Sequence, residues 1–527
     1  MKRFDKVCAV ALCVATVMSM AGCAVKPQET SEETSETVET SAVTETSASA
    51  VETTAETSET GATEATDMTD NTETAAGVDG TYVRTMDDVT AEMMSCDYWI
   101  ENGRAGGFDM DKVLLNADQI SEFNRVNHAP FEDADGNTLF YADEIGATFD
   151  GDILRLLLNS CRDAVPEKPE EYFLNGRPTT AAYWNGLTAL DNLAAVPDSI
   201  QVRYGYTVKR ATLRLFPTDD QVYETAEDRY FDYILFSECM PYMPVRILHE
   251  STDGKFLYVV FDSFAAWVNK ECIALCHDRA EWNERQERVK ASGLTVTARE
   301  IRLGDDPYSP ATSGQVLPMG THMELVPSSS APASAGGRTT FGDYVVKVPT
   351  RGADGYAVDE YVLIPCSDDV TVGVLPYTSA NLLRQAFKLL GDRYGWGGDL
   401  RANDCSGILR EIYNCFGILL PRTKQTSVGG DFVDKIDMSS MGGSAKLAVL
   451  HDVMPGSYIS MPGHMMFYLG TVDGRPYIIS AVGTFVQPSP GSEEILKPRS
   501  VVLSSLLVRN RALKTWLQNS KFVVTIK

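Results

Sequence analysis

The chain has 527 residues, of which 44% are hydrophobic and 23% charged, and its formal net charge is −27. This length predicts several domains, since one domain usually spans about 100–200 residues. The hydrophobic fraction is that of a folded protein and excludes a wholly disordered chain. The negative charge argues against nucleic acid as a partner and against adhesion to anionic lipid. Both contacts need clustered lysine and arginine.

The first residues, 1–23, have the pattern of a secretory signal. A basic start precedes an apolar run from Val7 to Met20, which is short for a membrane span. The run leads into Met20-Ala-Gly-Cys23, which resembles the bacterial lipoprotein box. That resemblance implies a lipid on Cys23 and an extracytoplasmic protein anchored to the cell membrane. The alternative is an ordinary cleaved signal in which Cys23 has no role.

A segment rich in Thr, Ser and Glu follows, from residue 24 to residue 79. It has fourteen acidic residues against one lysine, a net charge of −13. With few apolar residues, such a segment cannot bury enough surface to offset its chain entropy. We therefore expect a disordered tether, which leaves a body with a net charge of −16.

Residues 80–200 predict a mainly helical N-terminal domain. Residues 118–124 and 152–158 carry apolar side chains at the i, i+3 and i+4 spacing of a helix face. No catalytic cluster accompanies them, so we expect a stabilising role.

Two β-rich regions follow, residues 201–285 and residues 286–377. Short alternating segments separated by turn residues predict small barrels. In the first region, Arg214-Leu-Phe-Pro-Thr218 and Gly254–Val259 resemble the bacterial SH3-like domains found beside cell-wall hydrolases. The second region predicts another, more divergent SH3-like domain.

Eight of the eleven cysteines remain once the signal and Cys23 are set aside. Their spacing has no repeat, so we expect buried thiols or a single disulfide. Cys272-x-x-x-Cys276-His277 lacks the second ligand pair that a zinc site needs, so no metal is predicted.

The last region, residues 378–527, carries the candidate chemistry. Cys405 begins an amphipathic helix, and Gly417 is placed to end it. A cysteine at a helix N-terminus faces the positive end of the helix dipole, which favours the nucleophilic thiolate. A thiol nucleophile needs a base. His464, just before an apolar strand, is the candidate base, and His451 is the weaker alternative.

Four motifs in this region occur in a fixed order. They are Tyr394-Gly-Trp-Gly-Gly, Asp404-Cys405-Ser406-Gly407, Leu420-Pro-Arg422-Thr423 and Gly463-His464-x-x-x-Tyr468-Leu-Gly. Together they resemble the NlpC-type cell-wall cysteine peptidases, a papain-like family. The preceding regions resemble a subgroup with an N-terminal stabilising domain and two SH3-like domains. The resemblance implies an α+β multidomain protein whose papain-like catalytic domain follows two SH3-like β-barrels and a mainly helical domain.

The family resemblance also implies the site residues. Cys405 is then the nucleophile and His464 the general base and acid. Tyr394, Asp404, Ser406, Arg422 and Thr423 match positions at the substrate site. The implied reaction is hydrolysis of the bond between γ-D-glutamate and a diamino acid, diaminopimelate or lysine, in peptidoglycan stem peptides.

Two positions depart from the family pattern. The third catalytic position, usually a histidine, is Ser480 here, which is shorter and uncharged. Three consequences are open: reduced activity, replacement of the missing histidine by Gln487, or an inactive domain. We favour an active enzyme. The acidic residue that anchors a free N-terminal L-Ala in some relatives is also missing, because Thr423 follows Arg422.

The sequence therefore predicts a lipid-anchored, monomeric endopeptidase that needs no cofactor or metal. Its partners are peptidoglycan stem peptides and the membrane, not nucleic acid. Two alternatives remain: a catalytically impaired lipoprotein that binds wall peptides, and amidase or acyl-transfer chemistry on the same fold.

Overall fold

The computed structural model describes residues 83–133, 135–422 and 427–527. The predicted signal peptide, Cys23, the predicted tether and Thr423 lie outside the described residues. Within these ranges no helix combines the length and the apolar character that crossing a bilayer requires. All eight cysteines of the body are free thiols.

The N-terminal stretch combines four helices with short strands. The helices are α1 (Cys96–Ala105), α2 (Ala117–Val126), α3 (Gly151–Arg162) and α4 (Ala181–Leu190). The strands are β1 (Phe131–Glu132), β2 (Thr138–Phe140), β3 (Thr148–Asp150), β4 (Phe173–Leu174), β5 (Arg177–Pro178) and β6 (Ser199–Gln201). The helical segments expected at residues 118–124 and 152–158 are confirmed as parts of α2 and α3.

This stretch divides its apolar side chains between two neighbours. Trp99 of α1 and Phe123 of α2 are fully buried in the core of the C-terminal domain, where the Trp99 ring lies 5.2 Å from the ring of Tyr477. Leu154 and Leu157 of α3 instead join a core built on the first β-domain. The stretch therefore ties the catalytic region to that β-domain.

The first β-domain contains a seven-stranded antiparallel sheet in the order β10-β8-β13-β12-β11-β7-β14. Its strands are β7 (Arg203–Thr207), β8 (Ala211–Arg214), β9 (Val222–Tyr223), β10 (Leu235–Cys239), β11 (Pro244–Glu250), β12 (Phe256–Phe261), β13 (Phe264–Asn269) and β14 (Ile273–Leu275). β9 lies outside this sheet and pairs with β4 of the N-terminal stretch.

The second β-rich region follows helix α5 (Arg279–Ala291) and contains a five-stranded sheet in the order β22-β21-β18-β15-β23. Its strands are β15 (Gly293–Val296), β16 (Glu300–Arg302), β17 (Val316–Pro318), β18 (His322–Leu325), β19 (Ser334–Ala335), β20 (Arg338–Thr339), β21 (Asp343–Arg351), β22 (Ala357–Pro365) and β23 (Val370–Val372). Its likeness to an SH3 domain stays a prediction.

The C-terminal domain packs helices on a six-stranded antiparallel sheet in the order β24-β31-β25-β26-β27-β30. Its helices are α6 (Ser379–Lys388), α7 (Cys405–Asn414), α8 (Gly443–His451) and α9 (Trp516–Asn519). Its strands are β24 (Val433–Asp437), β25 (Tyr458–Met461), β26 (His464–Val472), β27 (Arg475–Val482), β28 (Phe485–Val486), β29 (Ile495–Leu496), β30 (Ser500–Ser505) and β31 (Phe522–Ile526).

Gly417 forms the C-terminal cap that follows α7, as the sequence predicts. It has a φ of +74°. The Gly417 N–H bonds to the carbonyl of Asn414, and the Ile418 N–H bonds to the carbonyl of Tyr413. This pair of bonds defines a Schellman motif with glycine in the left-handed position.

Candidate active site

Cys405 is the first residue of α7, and the helix is fixed at that end by Asp404. The Asp404 carboxylate accepts hydrogen bonds from the backbone N–H of Ser406 at 3.1 Å and of Gly407 at 2.8 Å. An aspartate in this position satisfies donors that the helix leaves unpaired and favours helix formation. Ile408 and Leu409 anchor α7 in the core behind the thiol. The Cys405 side chain therefore sits at the positive end of a firmly held helix.

His464 begins β26, on the sheet against which α7 packs. Its Nε2 lies 2.7 Å from the Oγ of Ser480 on the neighbouring strand β27. The Ser480 hydroxyl donates to the carbonyl of Met465 at 3.2 Å. With its single proton used there, the Ser480 oxygen is left to accept the N–H of His464. This arrangement favours the tautomer protonated on Nε2, which leaves the Nδ1 lone pair free to take a proton.

Burial sets the protonation of both groups. It raises the pKa of the Cys405 thiol to about 12, with the Asp404 carboxylate acting in the same direction. Hydrogen bonds from the backbone of Met465 and Ser406 oppose this rise by favouring the thiolate. Burial also lowers the pKa of His464 to about 4, although Asp404 acts against it. Burial therefore keeps the thiol protonated and the imidazole neutral in the resting site.

Arg422 holds Asp404 from the other side. Its Nη1 donates to Asp404 Oδ1 at 2.7 Å and its Nη2 to Oδ2, a two-pronged ion pair. Arg422 Nε donates to the Oγ of Ser237 on strand β10 at 3.1 Å. Burial alone would raise the pKa of Asp404, but Arg422 and the N–H donors lower it overall. Arg422 thus connects Ser237 of the first β-domain to Asp404, the residue that caps the helix of Cys405.

The loop before α7 forms one wall of the site. Tyr394 is buried, its N–H bonds to the carbonyl of Arg499, and its ring lies 5.9 Å from that of Phe231. Gly397 and Gly398 both have positive φ, and a Cβ at Gly398 would lie 2.2 Å from the side chain of Glu238. Glycine is thus required for the loop to approach the first β-domain closely.

The structure thereby brings most of the predicted site residues together. Ser480 on β27 contacts His464 on β26, and Cys405 at the start of α7 lies close to the backbone N–H of Met465 on β26. Asp404 and Ser406 bond to each other and to the start of α7, with Ser406 Oγ donating to Asp404 Oδ1 at 3.0 Å. Both support the nucleophile in this geometry, and their contacts with substrate stay predictions, as do those of Arg422 and Tyr394.

Comparison with protein families decides the class of this domain. A model described as the NlpC/P60 family matches residues 391–502. The C-terminal domain belongs to the NlpC/P60 family. A second model, described as an SH3 domain of SH3b1 type, matches residues 221–269 in the first β-domain. The two matches indicate a cell-wall cysteine peptidase that acts on a peptidoglycan-related substrate outside the cytoplasm.

A solved structure is similar to this chain in fold. An NlpC/P60 endopeptidase from Photobacterium damselae subsp. piscicida has a TM-score of 0.61 at 18% identity, covering 79% of this chain and 94% of its own. At this identity the likeness shows the fold alone. An NlpC/P60 family protein from Bacillus cereus has a TM-score of 0.40 at 15% identity, covering 61% of this chain and 98% of its own. No curated protein matches the sequence.

Two alternatives for the catalytic groups of the NlpC/P60 domain lie elsewhere. His451 is exposed at the end of α8, and its Nδ1 contacts the carboxylate of neighbouring Asp452 at 2.9 Å. Gln487 accepts a hydrogen bond from the backbone N–H of Asp87 at 3.4 Å, whereas Ser480 occupies Nε2 of His464. Of the two residues, Ser480 is therefore the one that contacts Nε2 of His464.

Several residues around the site have no local sequence signal. From the SH3 domain, Phe231 packs against Tyr394 and Trp396. Arg499 lies over the ring of Tyr230 at 4.0 Å. These contacts join segments far apart in the chain, so only the fold reveals them.

Asn124 on α2 and Asn127, the residue that follows α2, form hydrogen bonds to Gly417, Leu419 and Gly429 on either side of Arg422. Asn124 donates to the carbonyl of Gly417 at 2.8 Å and accepts from the N–H of Leu419 at 2.9 Å. Asn127 donates to the carbonyl of Gly429 at 3.2 Å and accepts from its N–H at 2.8 Å. The N-terminal stretch therefore supports the NlpC/P60 domain beside its site.

Glu411 on α7 makes the stability of the protein depend on pH. Burial raises its pKa to about 8, against the attraction of Arg210 and with the repulsion of Glu238. The folded protein therefore keeps a proton that the unfolded chain releases above its ordinary pKa of 4.5. This contribution is fully present below pH 4.5 and is lost as the pH rises through about 8.

We expect Glu411→Gln to remove this dependence. Compared with the wild type, the variant should gain stability as the pH rises from 5 to 8, by at most about 1.4 kcal/mol per pH unit. Urea unfolding at four pH values measures the difference. Glu493→Gln, at an exposed position, is the control and should follow the wild type. Parallel curves for Glu411→Gln and wild type would contradict the assignment.

Proposed function

We propose that the protein is a cysteine endopeptidase that hydrolyses the bond between γ-D-glutamate and a diamino acid in peptidoglycan stem peptides. The observation that carries the proposal is the hydrogen bond between His464 Nε2 and the Oγ of Ser480, at 2.7 Å. It completes a nucleophile, a base and an orienting group on α7, β26 and β27. The NlpC/P60 match supports the choice of substrate class.

The proposed reaction proceeds through a thioester on Cys405. Cys405 transfers its proton to His464 Nδ1 as its sulfur attacks the amide carbonyl carbon. The backbone N–H groups near Cys405, and the hydroxyl of Tyr394, would stabilise the oxygen anion. The imidazolium then protonates the leaving amine, the C–N bond breaks, and a thioester remains. Water, deprotonated by His464, attacks the thioester and releases the γ-D-glutamyl carboxylate and the free thiol.

The serine at the third position lowers the stabilisation of the imidazolium. A neutral hydroxyl orients the ring but adds no negative charge, unlike a carboxylate partner. Asp404 supplies a charge from a different direction, and it raises the pKa of His464 against the effect of burial. We infer an active enzyme in which orientation and charge come from two residues.

The remaining proposals concern location and specificity. Lipid attachment at Cys23 and a tether over residues 24–79 would hold the monomeric enzyme at the outer face of the cell membrane. The absence of an acidic residue after Arg422 in the sequence argues that a free N-terminal L-Ala is not required. The second SH3-like region and the helical N-terminal stretch are two further modules. They would restrict the substrate to short stem peptides rather than intact cell wall.

The decisive experiment digests purified stem peptides with wild type and Cys405→Ala. Substrates should carry diaminopimelate or lysine, each with a free and an acetylated N-terminus, and mass spectrometry identifies the products. We expect wild type alone to release the fragment ending in γ-D-glutamate. If neither protein releases it, the peptidase proposal is wrong.

The rival function is a protein that binds wall peptides without cutting them. The observation that favours it is the serine at the position where the family usually has histidine. Binding with no turnover, equal in wild type and Cys405→Ala, would support this rival.

A direct prediction concerns Ser480. Ser480→Ala leaves Nε2 of a buried imidazole without a partner and frees the ring to rotate. We expect kcat for stem peptides to fall ~10- to 100-fold, since a lost buried hydrogen bond of this kind corresponds to about 1–3 kcal/mol. Ser480→Thr, which keeps the hydroxyl, should recover part of the loss. An unchanged kcat in Ser480→Ala would show that Ser480 does not orient the base.

A further inference from the structure

The short C-terminal helix α9 lies directly beside the proposed base. The ring of Trp516 packs edge-on against the ring of His464, with centroids 4.8 Å apart and planes inclined at 63°. Trp516 is only 3% exposed. It lies beyond residues 391–502, the stretch that matches the NlpC/P60 model. The family pattern therefore does not account for this contact.

Helix α9 has four residues, so tertiary contacts must hold it in place. At its start, Thr515 and Gln518 exchange side-chain and backbone hydrogen bonds as a capping box. The N–H of Trp516 bonds to the carbonyl of Val508, and the N–H of Leu517 bonds to that of Leu506, both at 2.9 Å. These contacts fix the first half of the helix.

The other end of α9 is held by a buried lysine on α8. The Nζ of Lys446 donates to the carbonyls of Leu517 at 3.1 Å, Gln518 at 2.9 Å and Ser520 at 2.6 Å. These three acceptors use all three protons of the ammonium. The carbonyls at a helix C-terminus carry partial negative charge, which favours a cation there.

Burial of this ammonium is costly and needs those three acceptors. Lys446 is 2% exposed, and no carboxylate of the described residues forms an ion pair with it. Burial lowers its pKa, and the positive charge of Lys521 acts in the same direction. A methionine would fill nearly the same space without a charge, but it could not bind three carbonyls. The charge therefore serves to hold α9.

The surroundings of His464 explain what α9 contributes. Ser480 bonds to Nε2, Trp516 packs against the ring, and the charged group that acts on His464 is the carboxylate of Asp404, which caps α7. An indole against one side of an imidazole excludes water and limits rotation of the ring. With Nε2 bonded to Ser480, Nδ1 is the ring nitrogen left to accept a proton.

We propose that Lys446 and Trp516 are positioning residues for His464, with the ammonium fixing α9 and the indole fixing the imidazole. This inference rests on the proposed role of His464 as the base. Both residues act through His464 in this proposal. Their effect is on the orientation and the hydration of the base.

The test uses Trp516→Leu and Lys446→Met in the full chain. We expect kcat for stem peptides to fall ~10- to 100-fold with KM nearly unchanged, because small displacements of a catalytic group have effects of this size. A histidine-detected NMR titration should show the His464 midpoint rise from about 4 by more than about one pH unit towards the free value of about 6.5. Trp516→Phe and Lys446→Arg should each restore part of the wild-type behaviour.

Matched controls separate positioning from general loss of stability. Trp184→Leu removes an equally buried indole in α4, and Lys388→Met removes an exposed lysine that donates to the carbonyl of Thr297. Both controls should lower the melting temperature without moving the His464 titration. If Trp516→Leu or Lys446→Met fails to fold, Trp516→Phe and Lys446→Arg replace it, and an unchanged titration in these folded variants overturns the proposal.

The readouts also separate this inference from the proposed function. A wild type that cleaves no stem peptide overturns the peptidase, whereas a titration that still depends on Trp516 supports the positioning role. If both variants keep full activity and the His464 titration of wild type, the positioning role is wrong and the proposed peptidase function still stands.

Discussion

Arg422→Met is expected to destabilise the protein by about 3–5 kcal/mol, the range for removing one partner of a buried ion pair. The substitution leaves the Asp404 carboxylate buried with no cation beside it, because Arg422 supplies both prongs of the pair. Burial then raises the pKa of Asp404 without opposition from the guanidinium. A protonated Asp404 caps α7 less strongly, so the position of Cys405 loosens as well.

Urea unfolding near neutral pH measures this loss, and iodoacetamide labelling followed by mass spectrometry measures the reactivity of Cys405. The guanidinium lowers the pKa of that thiol, so labelling should slow in the folded variant. Arg155→Met is the control, because Arg155 pairs with the exposed carboxylates of Asp152 and Asp198. Its stability should stay close to that of wild type.

Combining Arg422→Met with Asp404→Asn should recover part of the lost stability, because the amide removes the unpaired charge and can still cap α7. If the double variant is as unstable as Arg422→Met alone, the loss comes from packing and not from a stranded carboxylate.

The sequence predicts the local features of the NlpC/P60 domain well, because short-range rules determine them. Cys405 at the start of a helix, the glycine that ends it and the strand after His464 all depend on residues within one or two turns. The order of the motifs is likewise a property of the chain. The site built from Cys405, His464 and Ser480 could therefore be named before any fold was known.

The supports of that site could not be predicted, because they join segments that are far apart. Ser237 on the SH3 domain contacts Arg422, and Asn127, the residue that follows α2, contacts Gly429. Lys446 and Trp516 lie in segments with no catalytic motif. Each contact depends on how whole elements pack, which periodicity and capping rules do not specify.

The N-terminal stretch shows the same limit. Its helices were predictable from their apolar spacing, but spacing does not say which core a helix joins. Trp99 packs with the sheet of the NlpC/P60 domain, whereas Leu154 packs with the SH3 domain. A helical stretch that bridges two cores looks, in the sequence, like a domain with its own core.

His464→Ala should lower kcat/KM for stem peptides by ~10²- to 10⁴-fold, the usual contribution of a general base. In wild type, burial lowers the pKa of His464 to about 4. The imidazole is therefore neutral and able to accept the thiol proton at every pH above about 4. Activity should persist from neutral pH down to that value and decline below it.

The alanine variant should lack this decline, because no imidazole remains to be protonated. Iodoacetamide labelling of Cys405 at neutral pH should also slow, since burial holds the pKa of the thiol at about 12 and only proton transfer to the base produces thiolate there. His451→Ala is the matched control, because His451 is exposed and bonded to Asp452. It should keep the activity, the pH profile and the labelling rate of wild type. If His464→Ala instead keeps the activity, pH profile and labelling rate of wild type, or His451→Ala loses them, a different group accepts the proton. The contact between His464 and Ser480 would then contribute to packing alone.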